Sequence, residues 1–200
     1  MIVVDIDQNS EEWDKERLGA ITSSCFGQIV DSKGNRSKSR QKYMDKLASE
    51  IITGEREKSY NNKAMDQGHE RESENRDYYA FINSVNVETV GFCWKDEKKI
   101  YGSSPDGLVD EDGLVECKNH NGAGQISRLR DGWTASEHHR QAHGQMLVTG
   151  RKWCDVVSYC RGMKTVTVRF NRDEDFLRKL EVELIMFYND LQKLVELIKS

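Results

Sequence analysis

One proline in 200 residues is the first thing this chain lacks; it is Pro105. Turns are therefore left to fifteen glycines and to polar residues. Cysteine is sparse and unpaired by pattern. The five are Cys25, Cys93, Cys117, Cys154 and Cys160, an odd count with no Cys-x-x-Cys. That argues against a disulfide framework and a structural zinc knuckle, and a reducing cytoplasm fits best. No apolar run approaches the ~20 residues a membrane span needs, so an integral membrane protein is excluded. Met1-Ile2-Val3-Val4-Asp5 has neither a basic region nor a long apolar one, so no secretory signal is expected. Positive charge is not in excess either: the net charge is −4. This excludes a protein coated in basic charge but not a nucleic-acid enzyme, because local patches steer polyanions.

What is present suits a folded domain. Apolar residues are 36%, charged residues 32%, and four Trp, seven Tyr and six Phe are spread along the chain. That is enough to seed a core and excludes wholesale disorder. There is no internal repeat, low-complexity tract or linker, so a single α/β domain over 1–200 is expected. The most basic stretch, 33–46, sets Lys33, Arg36, Lys38, Arg40, Lys42 and Lys46 against Asp45. It reads equally as a solvated face or as a track for a polyanion.

The pattern predicts a strand over Ile2–Ile6, and a helix capped by Ser10 and running to Gly19 with Trp13 and Leu18 inward. A second helix begins near Thr22–Ser24. Tyr43, Leu47 and Ile51 share one face of a helix stopped by Gly54. Asn61–Phe81 reads as a long charged helix and Val85–Phe92 as a strand. Ile100–Ser103 and Gly113–Lys118 read as two strands joined by turn-rich residues, and Asn119–Gly124 as a loop. A helix over Ala135–Thr149 precedes strands Cys154–Cys160 and Thr165–Phe170. From about 172 to 199, Leu177, Leu180, Leu184, Phe187, Leu191, Leu194 and Ile198 recur at spacings of three and four, with Asn171 and Glu174 as a capping box. That seam fits packing on the chain's own core as well as a contact between subunits.

The chemistry concentrates between Ser103 and Lys118. Residues two apart in a strand share a face, so Glu116 and Lys118 project together while Cys117 points into apolar surroundings. A hairpin can bring Asp106, ten residues earlier, beside Glu116. Two carboxylates repel unless a cation lies between them, and all-oxygen ligands suit Mg²⁺ or Mn²⁺ rather than zinc. Lys118 could then orient or help deprotonate a water, or neutralise a phosphate oxygen. Taken singly, Pro-Asp-Gly is an ordinary turn and Glu-x-Lys an ordinary surface charge pair. Together they form Pro-Asp…Glu-x-Lys, which resembles the PD-(D/E)XK nuclease superfamily.

More motifs fall in order. They are Trp13-x-x-x-Arg17-Leu18-Gly19-x-Ile21-Thr22-x-Ser24, Gly68-x-x-x-Glu72, Ser104-Pro105-Asp106-Gly107-Leu108, Glu116-x-Lys118, and Gln141 before Met146-x-Val148-Thr149. Over residues 13 to about 170 the chain resembles the lambda exonuclease / YqaJ family of phage recombination nucleases. The resemblance implies a nuclease core with a central mixed β-sheet flanked by helices. It implies an enzyme that digests one strand of duplex DNA from its 5′ end, giving 5′-mononucleotides and a 3′ overhang. A ring-shaped homotrimer around the DNA, a single-strand annealing partner and phage or prophage origin come with it.

The resemblance also assigns residues. Asp106, Glu116 and the backbone carbonyl of Cys117 would hold Mg²⁺, with Mn²⁺ able to substitute. Glu72 would stand near a second ion, so one or two ions per site. Lys118 and Gln141 would position water. Arg17, Ser24 and Ser104 match the pocket for a 5′-terminal phosphate, and Met65 the apolar side chain that wedges into the duplex end. The 33–46 stretch would lie along the DNA. His139 and His143, four apart on a helix, could pair on a zinc, but no Glu follows His139 and no third ligand is evident. His138 and His143 depart from the family's usual aromatic residue and second glutamine. A structure- or sequence-specific endonuclease and a non-catalytic DNA-end-binding module are the competing readings.

Overall fold

A computed structural model describes the backbone of residues 1–56 and 63–200, with side chains described for 1–56 and 71–200. The elements are β1 (Ile2–Val4), α1 (Glu11–Glu16), β2 (Ile21–Thr22), α2 (Phe26–Ile29), α3 (Arg40–Thr53), α4 (Lys63–Asn83), β3 (Val87–Glu88), β4 (Phe92–Trp94), β5 (Tyr101–Ser103), β6 (Gly107–Val109), β7 (Gly113–Asn119), α5 (Gly122–Asp131), α6 (His139–Thr149), β8 (Trp153–Tyr159), β9 (Val166–Asn171) and α7 (Glu174–Lys199).

They build two mixed sheets flanked by helices. The larger has the order β3-β6-β7-β8-β9, with β7 parallel to β8 and the other neighbours antiparallel. The smaller has the order β1-β4-β5-β2, with β2 parallel to β5. The expected central mixed sheet is the five-stranded one; the second sheet was not foreseen. β7 lies in the middle of the larger sheet and is buried from Gly113 to Cys117. Leu114, Val115 and Cys117 are buried on both faces of the strand, as a central strand with a parallel partner requires, and Glu116 is buried among them. A parallel partner requires a long crossover, and α5 and α6 supply it between β7 and β8.

Several expectations are corrected. Val85–Phe92 is not one strand but two, β3 and β4, in different sheets. Gly91 sits where the chain changes sheets; a Cβ there would lie 2.1 Å from the Ile6 carbonyl oxygen, so only glycine fits. Ile100–Ser103 does not pair with Gly113–Lys118. The hairpin partner of β7 is β6, whose Gly107, Leu108 and Val109 stand opposite Val115, Leu114 and Gly113. The supposed loop Asn119–Gly124 gives way at Gly122 to α5, with Asn121 as its cap. The first helix stops at Glu16 rather than Gly19. The helix expected from Ala135 begins with a 3-10 turn, Ser136–His138.

The last helix also starts later than its capping pattern suggests. Asn171 ends β9, and the Asp173 carboxylate accepts from the amides of Asp175 and Phe176. The apolar seam of α7 faces the chain's own core. Leu177, Leu180, Leu184, Phe187, Leu191 and Val195 are buried, whereas Ile198 is exposed. Phe187 stacks on Tyr43 of α3 with centroids 5.6 Å apart. Each such side chain contributes roughly 1.5–3 kcal/mol on burial.

Candidate active site

β5 ends at Ser103 in the smaller sheet and β6 begins at Gly107 in the larger one, so Ser104-Pro105-Asp106 is the link between the sheets. Pro105 and Asp106 are buried in it. Gln8 Nε2 donates to the Pro105 carbonyl at 3.0 Å and to the Val90 carbonyl at 2.7 Å, tying the link to the segment before β4. Gly107 pairs with Val115, so Asp106 stands one step further, level with Glu116. The backbone N–H of Cys117 donates to Asp106 Oδ2 at 2.6 Å.

Glu116 is buried and surrounded by donors. Lys118 Nζ and Gln141 Nε2 each donate to its Oε1 at 2.6 Å. Lys118 also reaches Gln141 Oε1 at 3.3 Å. Gln145 Nε2 donates to Glu116 Oε2. Helix α4 brings Glu72, whose carboxylate lies 3.9 Å from Arg76 Nη1, and Arg76 donates to the Asp106 carbonyl at 3.3 Å. Asp106, Glu116, Lys118, Glu72 and Gln141 therefore converge on one site from three elements and a link. Cys117 turns its side chain the other way, among Tyr79, Val109, Val115 and Val157.

Negative charge is in excess here. Burial pushes the Asp106 carboxyl pKa well up, and the charges of Glu116 and Glu72 push it further. Burial alone would lower the Lys118 pKa, but Glu116 and Asp106 outweigh it and leave it raised. A buried carboxylate pair short of countercharge and offering only oxygens fits Mg²⁺ or Mn²⁺ in chemistry. Among the described residues, no three His, Cys, Asp or Glu side chains stand gathered as a ready ligand shell. Hydrogen-bond donors hold Glu116 and Asp106, and an ion would have to share their oxygens.

A second polar region surrounds Trp13. The Arg17 guanidinium lies over the Trp13 ring at 3.7 Å, and Trp13 Nε1 donates to Ser104 Oγ at 2.9 Å. Ser24 Oγ lies 3.3 Å from Thr22 Oγ1. Arg17, Thr22, Lys46, Glu50 and Arg56 line one cleft. Arg17 Nε is buried without a protein partner. Burial and then the charge of Arg56 lower the Arg17 pKa to about 10. Lys46 lies 3.8 Å from Glu50 and Arg56 bonds Asp14, while the buried Arg17 Nε beside them is a donor suited to an anion. The three residues expected for a 5′-phosphate are thus connected through Trp13 and Thr22, and Lys46 and Arg56 join them.

The remaining expectations fare unevenly. Met65 lies outside the described side chains. In the basic stretch, Arg36 and Arg40 bond Glu183 of α7, each at 3.1 Å, and Arg40 also reaches Asp190. Those two cations pair with α7, while Lys33, Lys38 and Lys42 are exposed. His139 and His143 stack with centroids 4.1 Å apart against the edges of Phe170 and Phe176. His143 Nδ1 bonds the His139 carbonyl. His138 packs edge-on against Trp133, and burial together with the Lys118 charge lowers its pKa to about 4.

Residues 12–152 match the model of the YqaJ-like viral recombinase domain. The chain belongs to this YqaJ-like family. The whole fold agrees. It is similar to an alkaline exonuclease, LHK-Exo, from Laribacter hongkongensis at 33% identity, over 95% of this chain and 96% of that one, with a TM-score of 0.85. LHK-Exo in complex with dAMP matches at 34% identity over the same shares, with a TM-score of 0.84. A phage related exonuclease from Haemophilus somnus 129PT, 12% identical over 90% of this chain and 96% of that one, shares the fold at a TM-score of 0.71. None of the curated proteins compared matches the chain. This YqaJ-family chain is thus a nuclease of the alkaline-exonuclease type.

Three parts of the YqaJ-type site escaped the sequence reading. Gln145 carried a signal: it lies four residues after Gln141 and so shares its helix face. Arg76 had the same relation to Glu72. Arg56 had none, because the fold alone carries it back to Trp13, where its guanidinium lies 5.9 Å from the ring.

Proposed function

We propose that this YqaJ-family nuclease digests one strand of double-stranded DNA in the 5′→3′ direction from a 5′-phosphorylated end, with Mg²⁺. The products are 5′-mononucleotides and 3′ single-stranded overhangs, used in phage-type recombination by strand annealing in the bacterial cytoplasm. The observation that carries this reading is the pairing of the buried Asp106–Glu116–Lys118–Gln141 group with a separate cation-lined cleft at Arg17. One site suits hydrolysis and the other suits holding a charged end. LHK-Exo was crystallised in complex with dAMP, a nucleotide of the class this reaction would release.

Each residue has a task that its surroundings support. Asp106 and Glu116, with the Cys117 carbonyl and Glu72, would hold one or two Mg²⁺ ions, or Mn²⁺ in their place. Bound there, the metal would supply Lewis-acid stabilisation of charge on the scissile phosphate. Lys118, bonded to Glu116 and Gln141, is placed to donate to water or to a phosphate oxygen. Gln141 bridges Lys118 and Glu116 and fixes both. Arg17, with Ser24, Ser104, Lys46 and Arg56 around it, would grip the terminal phosphate. The bound end then presents the first phosphodiester to Asp106 and Glu116, which is positioning by binding. Met65, on α4, would part the terminal base pairs.

A homotrimeric ring around the DNA and a single-strand annealing protein complete the proposal. Sedimentation equilibrium at micromolar protein should give three times the chain mass, and a strict monomer would remove the ring. The nuclease reading is tested by incubating one plasmid, circular and linearised, with the enzyme and Mg²⁺. Loss of the linear form alone is expected; nicking or linearisation of the circle would point to an endonuclease.

A further inference from the structure

Helix α6 directs two glutamines at Glu116, and only Gln141 has a place in the reading above. Gln145 is fully buried. Its Nε2 donates to Glu116 Oε2, and its Oε1 accepts from Cys154 Sγ at 3.6 Å. A glutamine amide donates at one end and accepts at the other. Turned over, its oxygen would face a carboxylate oxygen in a buried place, where an unpaired or repelled charge is costly. Cys154 is buried at the end of this line, and its thiol stays protonated because burial and then the Glu116 charge push its pKa well up. The chain Cys154–Gln145–Glu116 therefore has one direction.

The two oxygens of Glu116 are consequently unlike. Oε2 is held in the interior by Gln145. Oε1 accepts from Lys118 Nζ at 2.6 Å. Gln141 Nε2 reaches that same oxygen. A carboxylate free to turn about its last bond would present either oxygen; this one is not free.

We propose that Gln145 is a positioning residue that fixes the rotation of the Glu116 carboxylate, and with it the direction in which Glu116 meets a divalent cation. The inference rests on the metal reading above and adds to it a residue that touches neither DNA nor ion. Cys154 has the lesser role of fixing which end of the Gln145 amide faces the carboxylate.

The test uses the full chain, with Mn²⁺ as the probe, followed by titration calorimetry without DNA and by exonuclease rates across a Mg²⁺ series. Gln145→Met keeps the bulk and removes the amide. It should weaken Mn²⁺ binding about 10- to 100-fold, the usual loss when the partner of a metal ligand is removed. The Mg²⁺ requirement should rise in step, while the preference for a 5′-phosphate stays as in the parent. Cys154→Ala should shift Mn²⁺ binding in the same direction by less. Unchanged Mn²⁺ affinity in Gln145→Met, even with a lowered melting temperature, would reduce Gln145 to a packing residue and overturn the proposal. Should Gln145→Met not fold, unchanged affinity in Cys154→Ala overturns it instead. If the parent itself binds no Mn²⁺, the metal reading fails and takes this inference with it; parent binding with unaffected variants sinks this inference alone.

Discussion

The backbone N–H of Cys117 donates to Asp106 Oδ2 at 2.6 Å, binding the link between the two sheets to the strand that carries Glu116 and Lys118. One backbone amide thus sets the spacing of the two carboxylates. It also means that Asp106 can lose its charge without losing its place. Asn in its stead keeps an oxygen for that amide.

Asp106→Asn should therefore separate function from stability. Cleavage should be lost, since an amide is a poor ligand for Mg²⁺. The metal-free protein should become more stable at neutral pH, because burial, Glu116 and Glu72 all oppose the Asp106 charge. Relief of about 1 kcal/mol would raise the melting temperature by about 2–4 °C for a chain of this length. Calorimetric melting without metal checks it; a lowered melting temperature would mean that the carboxylate is not under strain from its neighbours.

Arg17→Ala should erase the distinction between 5′-phosphate and 5′-hydroxyl duplexes. Arg17 Nε is buried without a protein partner, and the guanidinium sits in the cleft with Lys46 and Arg56. Rates on the phosphorylated duplex should fall by at least tenfold and rates on the hydroxyl duplex hardly at all. Equal losses on both would place Arg17 in general packing against Trp13.

The site was legible where chemistry follows local period. Glu116 and Lys118 share a face by strand alternation alone, and the chain's only proline marks the link that carries Asp106. The long seam of α7 was legible for the same reason, although its inward target, Tyr43 and the rest of α3, was not. What stayed hidden is short or non-local. β6 is three residues inside a turn-rich segment, and α5 opens Gly122-Ala123-Gly124, a poor helix start that its Asn121 cap offsets. Gly91 gave no sign that the chain changes sheets there, because the obstacle is the Ile6 carbonyl, far away in sequence.

Pro105→Ala should reduce activity more than stability. Pro105 is buried in the inter-sheet link, and its fixed φ restricts Ser104 as well. Added freedom in the unfolded chain should cost about 0.4–1 kcal/mol. Cleavage should fall tenfold or more through loss of Asp106's aim. Matching losses in melting temperature and rate would leave the proline as a turn and nothing else.

The histidine pair should make the fold sensitive to mild acid. Burial and then His143 lower the His139 pKa to about 4, and burial lowers that of His143. Between about 4 and an unfolded value near 6.5, the unfolded chain binds more protons than the folded one, so stability falls as pH falls through that window. His139→Phe, which suits the Phe170 and Phe176 shelf, should flatten the drop in melting temperature between pH 7 and pH 4.5. The same slope in parent and variant would show that this pair does not titrate on unfolding.

The most direct test of the account follows the two strands of one linear duplex, with a 5′-phosphate on one strand and a 5′-hydroxyl on the other, each labelled at its 3′ end. With Mg²⁺, the phosphorylated strand should shorten from its 5′ end, release 5′-mononucleotides and leave its partner intact, and Lys118→Ala should abolish the release. Removal of the 3′ label first, internal cuts in either strand, or undiminished release by Lys118→Ala would contradict it.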